Sequence, residues 1–130
     1  MKKIIYIVFG ILAMVACQES LQDRAEREAK EYTKKNCPMP YDQMLMLDSV
    51  SFDKATTTLN YYYTISGAAD DRENIEKNKV KMRDTLIKAL HDNTDQRVYK
   101  DAGFSYRYVY YSKSDGSVLF DTTLKKEDYL

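Results

Sequence analysis

"TLNYYYTI", residues 58–65, decides how this chain folds. Aromatic and β-branched side chains fill most of its positions, which suits a pleated, half-buried strand. Alternation puts Leu59, Tyr61, Tyr63 and Ile65 on one face and Asn60, Tyr62 and Thr64 on the other. On its N-terminal side, "MLMLDSVSF" (44–52) reads as a second strand and "DKATT" as a polar turn, so the two make a β-hairpin. On its C-terminal side, "SGAADD" combines turn residues with acids that suit a helix N-terminus.

From about Asp71 to His91 the apolar residues recur at helical spacing. Ile75, Met82, Leu86 and Leu90 share one face, and Val80 and Ile87 widen it. "QRVYKDAG" reads as a short helical turn ended by Gly103 in a left-handed cap. "FSYRYVYYS" (104–112) and "SVLFDTTL" are further strands, joined through Asp115-Gly116, a strong hairpin signal. Near the N-terminus, Leu21, Ala25, Ala29 and Tyr32 form a thin apolar stripe on a helix from about Leu21 to Lys34, which the prolines of "NCPMP" stop. The tail "KKEDYL" is expected to be loose.

The order is therefore helix, hairpin, helix, hairpin. The expected fold is α+β, a four-stranded antiparallel sheet built from two hairpins with two helices on one face, in αββ-αββ order.

Sorting the strands by face gives a candidate site. Phe104, Tyr106, Tyr108 and Tyr110 share one face of the third strand, and Val118, Phe120, Thr122 and Leu124 one face of the fourth. With Leu59, Tyr61, Tyr63 and Ile65 they are the more apolar sets and are assigned to the helix side. Tyrosines at its margin would turn their hydroxyls to water or a partner. The other face then shows Tyr62, Arg107, Val109, Tyr111 and Leu119. Tyr62, Arg107 and Tyr111 are the expected binding residues, since flat aromatics beside a guanidinium suit a protein, a peptide or a glycan. Cross-strand packing on a solvated sheet accounts for the same residues without any ligand.

The first residues are of a different kind. Lys2 and Lys3 precede an apolar run of about 13 residues, short of the ~20 needed to span a bilayer, and small Ala16 comes before Cys17. This is the layout of a secretory signal peptide. Met14-Val15-Ala16-Cys17 resembles the lipobox of bacterial lipoproteins, with methionine where leucine is commoner. The resemblance implies a signal peptide over 1–16, cleavage before Cys17, and acylation of its thiol and new N-terminus. Several acyl chains anchor stably where one is marginal. It places the protein in the cell envelope, and Gln18, in place of the aspartate that resembles an inner-membrane retention signal, points to the outer membrane, on its periplasmic or surface side. Residues 17–36 then hold the lipidated cysteine, a tether and the first helix, and 37–130 the remainder of a single α+β domain.

Two of the 20 basic residues and none of the 20 acidic ones lie in the leader, so the mature chain is near neutral. No nucleic-acid partner is expected from such a balance. With Cys17 acylated, Cys37 has no intramolecular partner and is expected to behave as a small buried apolar residue; Cys37-Pro38 lacks the second thiol of a redox pair.

His91 is the only histidine and falls near a helix end, where a cation interacts well with the dipole. One histidine without neighbouring ligands makes no zinc site, and no nucleophile elbow or glycine-rich phosphate loop is present. Asp70, Asp71 and Glu73 match no calcium loop and suit a helix N-terminus. Asp48 and Asp53 have no pattern that would make them acid and base. No enzyme, metal or cofactor is expected. The stretch "NCPMPYDQMLMLDSV" (36–50) resembles, loosely, a segment before a tyrosine-rich strand in small envelope proteins, a resemblance that implies no activity. The expected function is a non-catalytic protein- or peptide-binding module anchored to the membrane through Cys17. The alternatives are a glycan or small-ligand binder that uses the same aromatics or a pocket between helix and sheet, or a structural oligomeric envelope component.

Overall fold

The computed structural model describes residues 19–130; the expected signal peptide and Cys17 lie outside them. The elements, in order, are α1 (Leu21–Asn36), β1 (Met39–Pro40), β2 (Leu45–Asp53), β3 (Thr58–Ile65), a 3-10 turn (Gly67–Ala69), α2 (Arg72–Asp92), α3 (Arg97–Asp101), β4 (Ser105–Ser112), β5 (Val118–Leu124) and α4 (Lys126–Tyr129).

The Ser20 side chain starts α1 by accepting from the Asp23 amide (3.1 Å), and the carboxylate of Glu19 is already held by Arg27 at 2.6 Å. Ala25 and Ala29 are fully buried. Their small side chains let α1 lie close against β2. The Asp71 carboxylate caps α2, accepting from the Asn74 amide, and Glu73 pairs with Lys77. The acids of "SGAADD" thus serve a helix start, and Asp70 accepts from the Ser114 amide across to the β4–β5 turn. Val80 is 73% exposed and leaves the apolar stripe of α2, whose buried face is Ile75 and Leu90 with Met82, Leu86 and Ile87 beside them.

Both expected hairpins form, but the sheet is not a four-stranded antiparallel one. It has five strands in the order β1-β2-β3-β4-β5, and β3 and β4 run parallel. The reason lies in α2. A helix of 21 residues runs about 30 Å, enough to carry the chain back along the sheet, so β4 starts at the same end as β3. Pairing the two inner strands of the hairpins then makes a parallel ladder, with Tyr61 opposite Tyr108 and Tyr63 opposite Tyr110. The fifth strand is the two-residue β1 on the outer edge of β2, where Pro40 is tolerated.

A bulge shifts the register between β4 and β5. Tyr110 pairs Phe120 but Tyr111 pairs Val118, leaving Leu119 unpaired. Leu119 therefore turns into the core (6% exposed) and Val118 out of it (45%), the reverse of strict alternation.

The sheet has two poles. At one lie the start of α1, the β2–β3 turn, α3 and α4; Lys54 of that turn pairs with Asp23 of α1 at 2.5 Å. At the other lie the end of α1, the loop over 41–44, the 3-10 turn and the β4–β5 turn. Asp115-Gly116 forms the latter, with Gly116 at φ 73°. Gly103, at φ 79°, ends α3 as the sequence predicts.

The C-terminal tail is part of the fold. Tyr129 is buried, its ring edge-on to Tyr106, and its hydroxyl donates to the Phe104 carbonyl at 2.8 Å. The cation at the end of α2 is Lys100 rather than His91: Lys100 Nζ donates to the carbonyls of Leu90 (2.6 Å) and His91 (3.1 Å). His91 Nδ1 instead donates to the Tyr129 carbonyl at 2.7 Å, since a carbonyl can only accept.

Side chains from the helices close the sheet edges. Beyond β1, the Thr33 hydroxyl both accepts from the Val50 amide (2.9 Å) and donates to its carbonyl (2.8 Å), as a neighbouring strand would. On β5, Arg72 donates to the Val118 carbonyl and to Ser117, and Arg83 donates to the Thr123 carbonyl while pairing with Asp128. Exposed edges are templates for strand addition, and these residues occupy them.

Candidate functional site

The face assigned to the core from alternation is the helix face, and it carries more than a core. Its tyrosines form a ladder of rings across the parallel pair. Tyr61 stacks on Tyr108 (5.3 Å between centroids), Tyr63 on Tyr110 (4.8 Å), and Tyr41 leans on Tyr63 at 5.7 Å. Such offset pairs add to the gain from burial alone.

Over this ladder, α1 and α2 leave a gap. Three adjoining cavities fill it. One of ≈ 390 Å³ lies towards the far pole, between Met44, Leu45, Ile65 and the Met82–Leu86 face of α2. A middle one of ≈ 300 Å³ is floored by Tyr61, Tyr63, Tyr108 and Tyr110. The third, of ≈ 360 Å³, lies under α1 and reaches the α2–α3 turn. Neighbouring cavities share walls, Leu86 and Tyr110 for the first two and Tyr41 and Tyr61 for the last two, so together they are one groove. Arg24 lies over the Tyr99 ring (5.9 Å) at the near pole, where α1 meets α3.

The groove tyrosines are amphipathic walls. Tyr63, Tyr108 and Tyr110 are more than nine-tenths buried, yet among the described residues only the Tyr99 hydroxyl is buried without a hydrogen-bond partner. The other phenols therefore keep a partner or a path to water. Burial pushes the Tyr110 hydroxyl up to about 12, and pushes those of Tyr61, Tyr63 and Tyr108 higher still. The folded state thus holds these protons more tightly than the unfolded one. Stability from this source is complete below the ordinary value of 10.0 and is lost as pH rises from there through about 12. In an alkaline titration the last phenolates should appear together with the loss of far-UV circular dichroism. Ionisation of every tyrosine near pH 10, with the dichroism intact, would contradict this packing.

On the opposite face the structure brings the three sequence-predicted residues together. Tyr62 and Tyr111 stack at 6.4 Å, and Arg107 lies on the neighbouring register position. The Arg107 guanidinium is engaged, however, making a two-pronged pair with Asp121 at 2.9 and 2.7 Å. Val109 is buried on this face at 1% exposure, whereas Leu119 has left it through the bulge. The Arg107 cation of this face is neutralised within the chain, and towards the far pole the face holds a cavity of ≈ 260 Å³ beside Met46, Asp48, Thr64 and Lys113. The sequence offers a pocket between helix and sheet only as an alternative and does not name its residues, because periodicity separates a core face from an open one but cannot show that the helices covering a core stand apart.

Among the described residues no three of His, Cys, Asp and Glu gather as a metal site would need. Asp48 accepts from the Thr64 hydroxyl and Asp53 from the Ala55 amide, so each carboxylate serves a local bond. Cys37 is half-buried against the core, and burial raises its thiol above the ordinary range.

Fold and groove together define a small α+β domain of four described helices and a five-stranded mixed sheet, with a cleft between α1 and α2 over one face of the sheet. The chain belongs to a family described as a domain of unknown function, DUF8479, whose profile matches residues 20–120. No curated protein matches it. Among solved structures it is similar to a candidate secreted protein of Pseudomonas aeruginosa (TM-score 0.72, 14% identity, covering 87% of this chain and 100% of that one). It is also similar to the type II secretion system pilotin AspS of Vibrio cholerae (0.60, 19%, 89% and 98%) and to the pilotin EpsS of the Vibrio vulnificus type 2 secretion system (0.60, 15%, 85% and 92%). At these identities the likeness is one of fold.

Proposed function

We propose that this protein is a non-catalytic, lipid-anchored module of the cell envelope that holds an apolar segment of a protein partner in the groove between α1 and α2. The observation that carries the reading is the groove itself, an open apolar cleft over a tyrosine ladder, with Met44, Met82 and Leu86 along its wall. Surface clefts of several hundred Å³ lined by aromatic and apolar groups are where ligands and peptide segments dock. The use of this fold by two type II secretion system pilotins supports a protein partner in the envelope. The leader and Cys17 support the anchor.

The stacked pair Tyr62 and Tyr111, with Arg107, is the second reading, favoured by the half-exposed rings on the open face. A photo-crosslinking amino acid at Met82, and separately at Tyr62, in cells of the native organism divides the two. A single defined protein adduct from position 82, lost on Leu86→Glu, is the expected result. An adduct from position 62 alone, lost on Tyr111→Ser, moves the site to the open face. No protein adduct from either position overturns the partner reading. The anchor is tested by intact mass from native membranes, which should show a chain starting at Cys17 with acyl mass added; a non-acylated chain removes it.

A further inference from the structure

We propose that the near end of the groove is a pocket for a basic side chain, lysine or arginine, carried by the apolar segment that the groove holds. The inference rests on the groove reading and adds to it the chemistry of the guest.

The cavity of ≈ 360 Å³ is walled by Tyr32, Tyr41, Tyr61 and Tyr99 together with Glu28 and Asp95, and no Lys, Arg or His lines it. The far cavity differs: on its wall Lys81 balances Asp42, and methionine, leucine and isoleucine make up most of the rest. The groove thus has an apolar half and an acidic, aromatic half. Ring faces attract a cation through their quadrupole, and two carboxylates repel an anionic guest while favouring a cationic one.

The Tyr99 hydroxyl is an independent sign of a missing partner. Tyr99 is 5% exposed, and its oxygen is the one buried side-chain N or O among the described residues with no hydrogen bond. Native proteins rarely leave such groups unmet. The Glu28 carboxylate, on the same cavity wall, raises the Tyr99 hydroxyl beyond the effect of burial through its charge and a loose hydrogen bond too long to satisfy the hydroxyl, while Arg24 and Arg27 act the other way. A guest ammonium or guanidinium entering from the cavity side would reach both oxygens. The chain itself shows that this pair attracts a cation, since Arg24 lies 2.5 Å from Glu28 and over the Tyr99 ring. Arg24 is not among the residues that line the cavity, and it offsets part of the Glu28 charge; Asp95 forms no ion pair among the described residues.

The described elements and their core lie within residues 19–130, and residues 1–16 are the proposed leader, so the chain from residue 17 onward is the protein to test. Its backbone amides are followed by NMR during titration with hexylguanidinium, hexanol and hexanoate. Hexylguanidinium should move the amides of Asn93–Tyr99 and bind about tenfold more tightly than hexanoate. Glu28→Gln with Asp95→Asn should abolish that preference, and Arg24→Gln should sharpen it by freeing Glu28. Equal binding of cation and anion, or a preference unmoved by these substitutions, overturns the inference. If all three probes shift only the Met82 and Leu86 region, the groove reading stands and the basic pocket falls. If none shifts any groove amide, the groove reading falls, and the pocket with it.

Discussion

Tyr129→Ala should cost about 3–5 kcal/mol of stability, the range for deleting a buried aromatic side chain. The residue is next to the last in the chain, where loose structure is the usual expectation. Here its ring is 1% exposed, packed edge-on to Tyr106, which is itself fully buried. Its hydroxyl donates to the Phe104 carbonyl just before β4, and its own carbonyl accepts from His91 at the end of α2. One residue thus ties the end of α4 to the crossover helix through its carbonyl and to the strand that follows it through its side chain. Tyr129→Phe keeps the ring and removes only the donor, and should cost about 1 kcal/mol. Urea unfolding of both variants measures the difference. A Tyr129→Ala protein as stable as the parent would mean that the tail is detached.

Thr33→Val should be the most damaging conservative change in α1. The two side chains have the same shape, but valine can neither accept from the Val50 amide nor donate to its carbonyl. Leaving that pair unmet on a largely buried residue should cost about 1–3 kcal/mol. Thr33→Ser keeps the hydroxyl and should recover most of the loss. The valine variant should also self-associate, because an unpaired stretch of β2 is then open to another chain. Light scattering against concentration reads the second effect and chemical denaturation the first. A valine variant that is both stable and monomeric would show that Thr33 does not seal the edge.

Much of this fold is legible in the sequence because it rests on local rules. The period-2 pattern of residues 58–65, the Asp115-Gly116 turn, the left-handed Gly103 and the acids before α2 act through a few neighbours, and each holds. What the sequence does not disclose is non-local. Whether β4 lies beside β3 or beside β2 is settled by which long-range pairing buries more, and the ring stacks of Tyr61 on Tyr108 and Tyr63 on Tyr110 form only in the parallel arrangement observed. The single extra residue at Leu119 reverses two side chains that alternation sorts the other way. The tail misleads because "KKEDYL" is polar except for Tyr129 and Leu130, and one buried tyrosine outweighs that composition. The site divides in the same manner. Tyr62, Arg107 and Tyr111 do share a face, as their spacing predicts. The groove depends on the distance between two helices, which no periodicity encodes.

The ordered start of α1 has a consequence for how the molecule would stand. Glu19 is already folded onto Arg27, and Ser20 is the helix cap, so only Gln18 separates Cys17 from described backbone. Three residue steps from Cys17 to Ser20 span at most about 10 Å. With acyl chains on Cys17, that is a mooring rather than a leash. The pole that carries the Lys54 turn and α3 would be held close to the headgroups, whereas the mouth between Met44 and Met82 lies towards the opposite pole, on the side open to what arrives from the water.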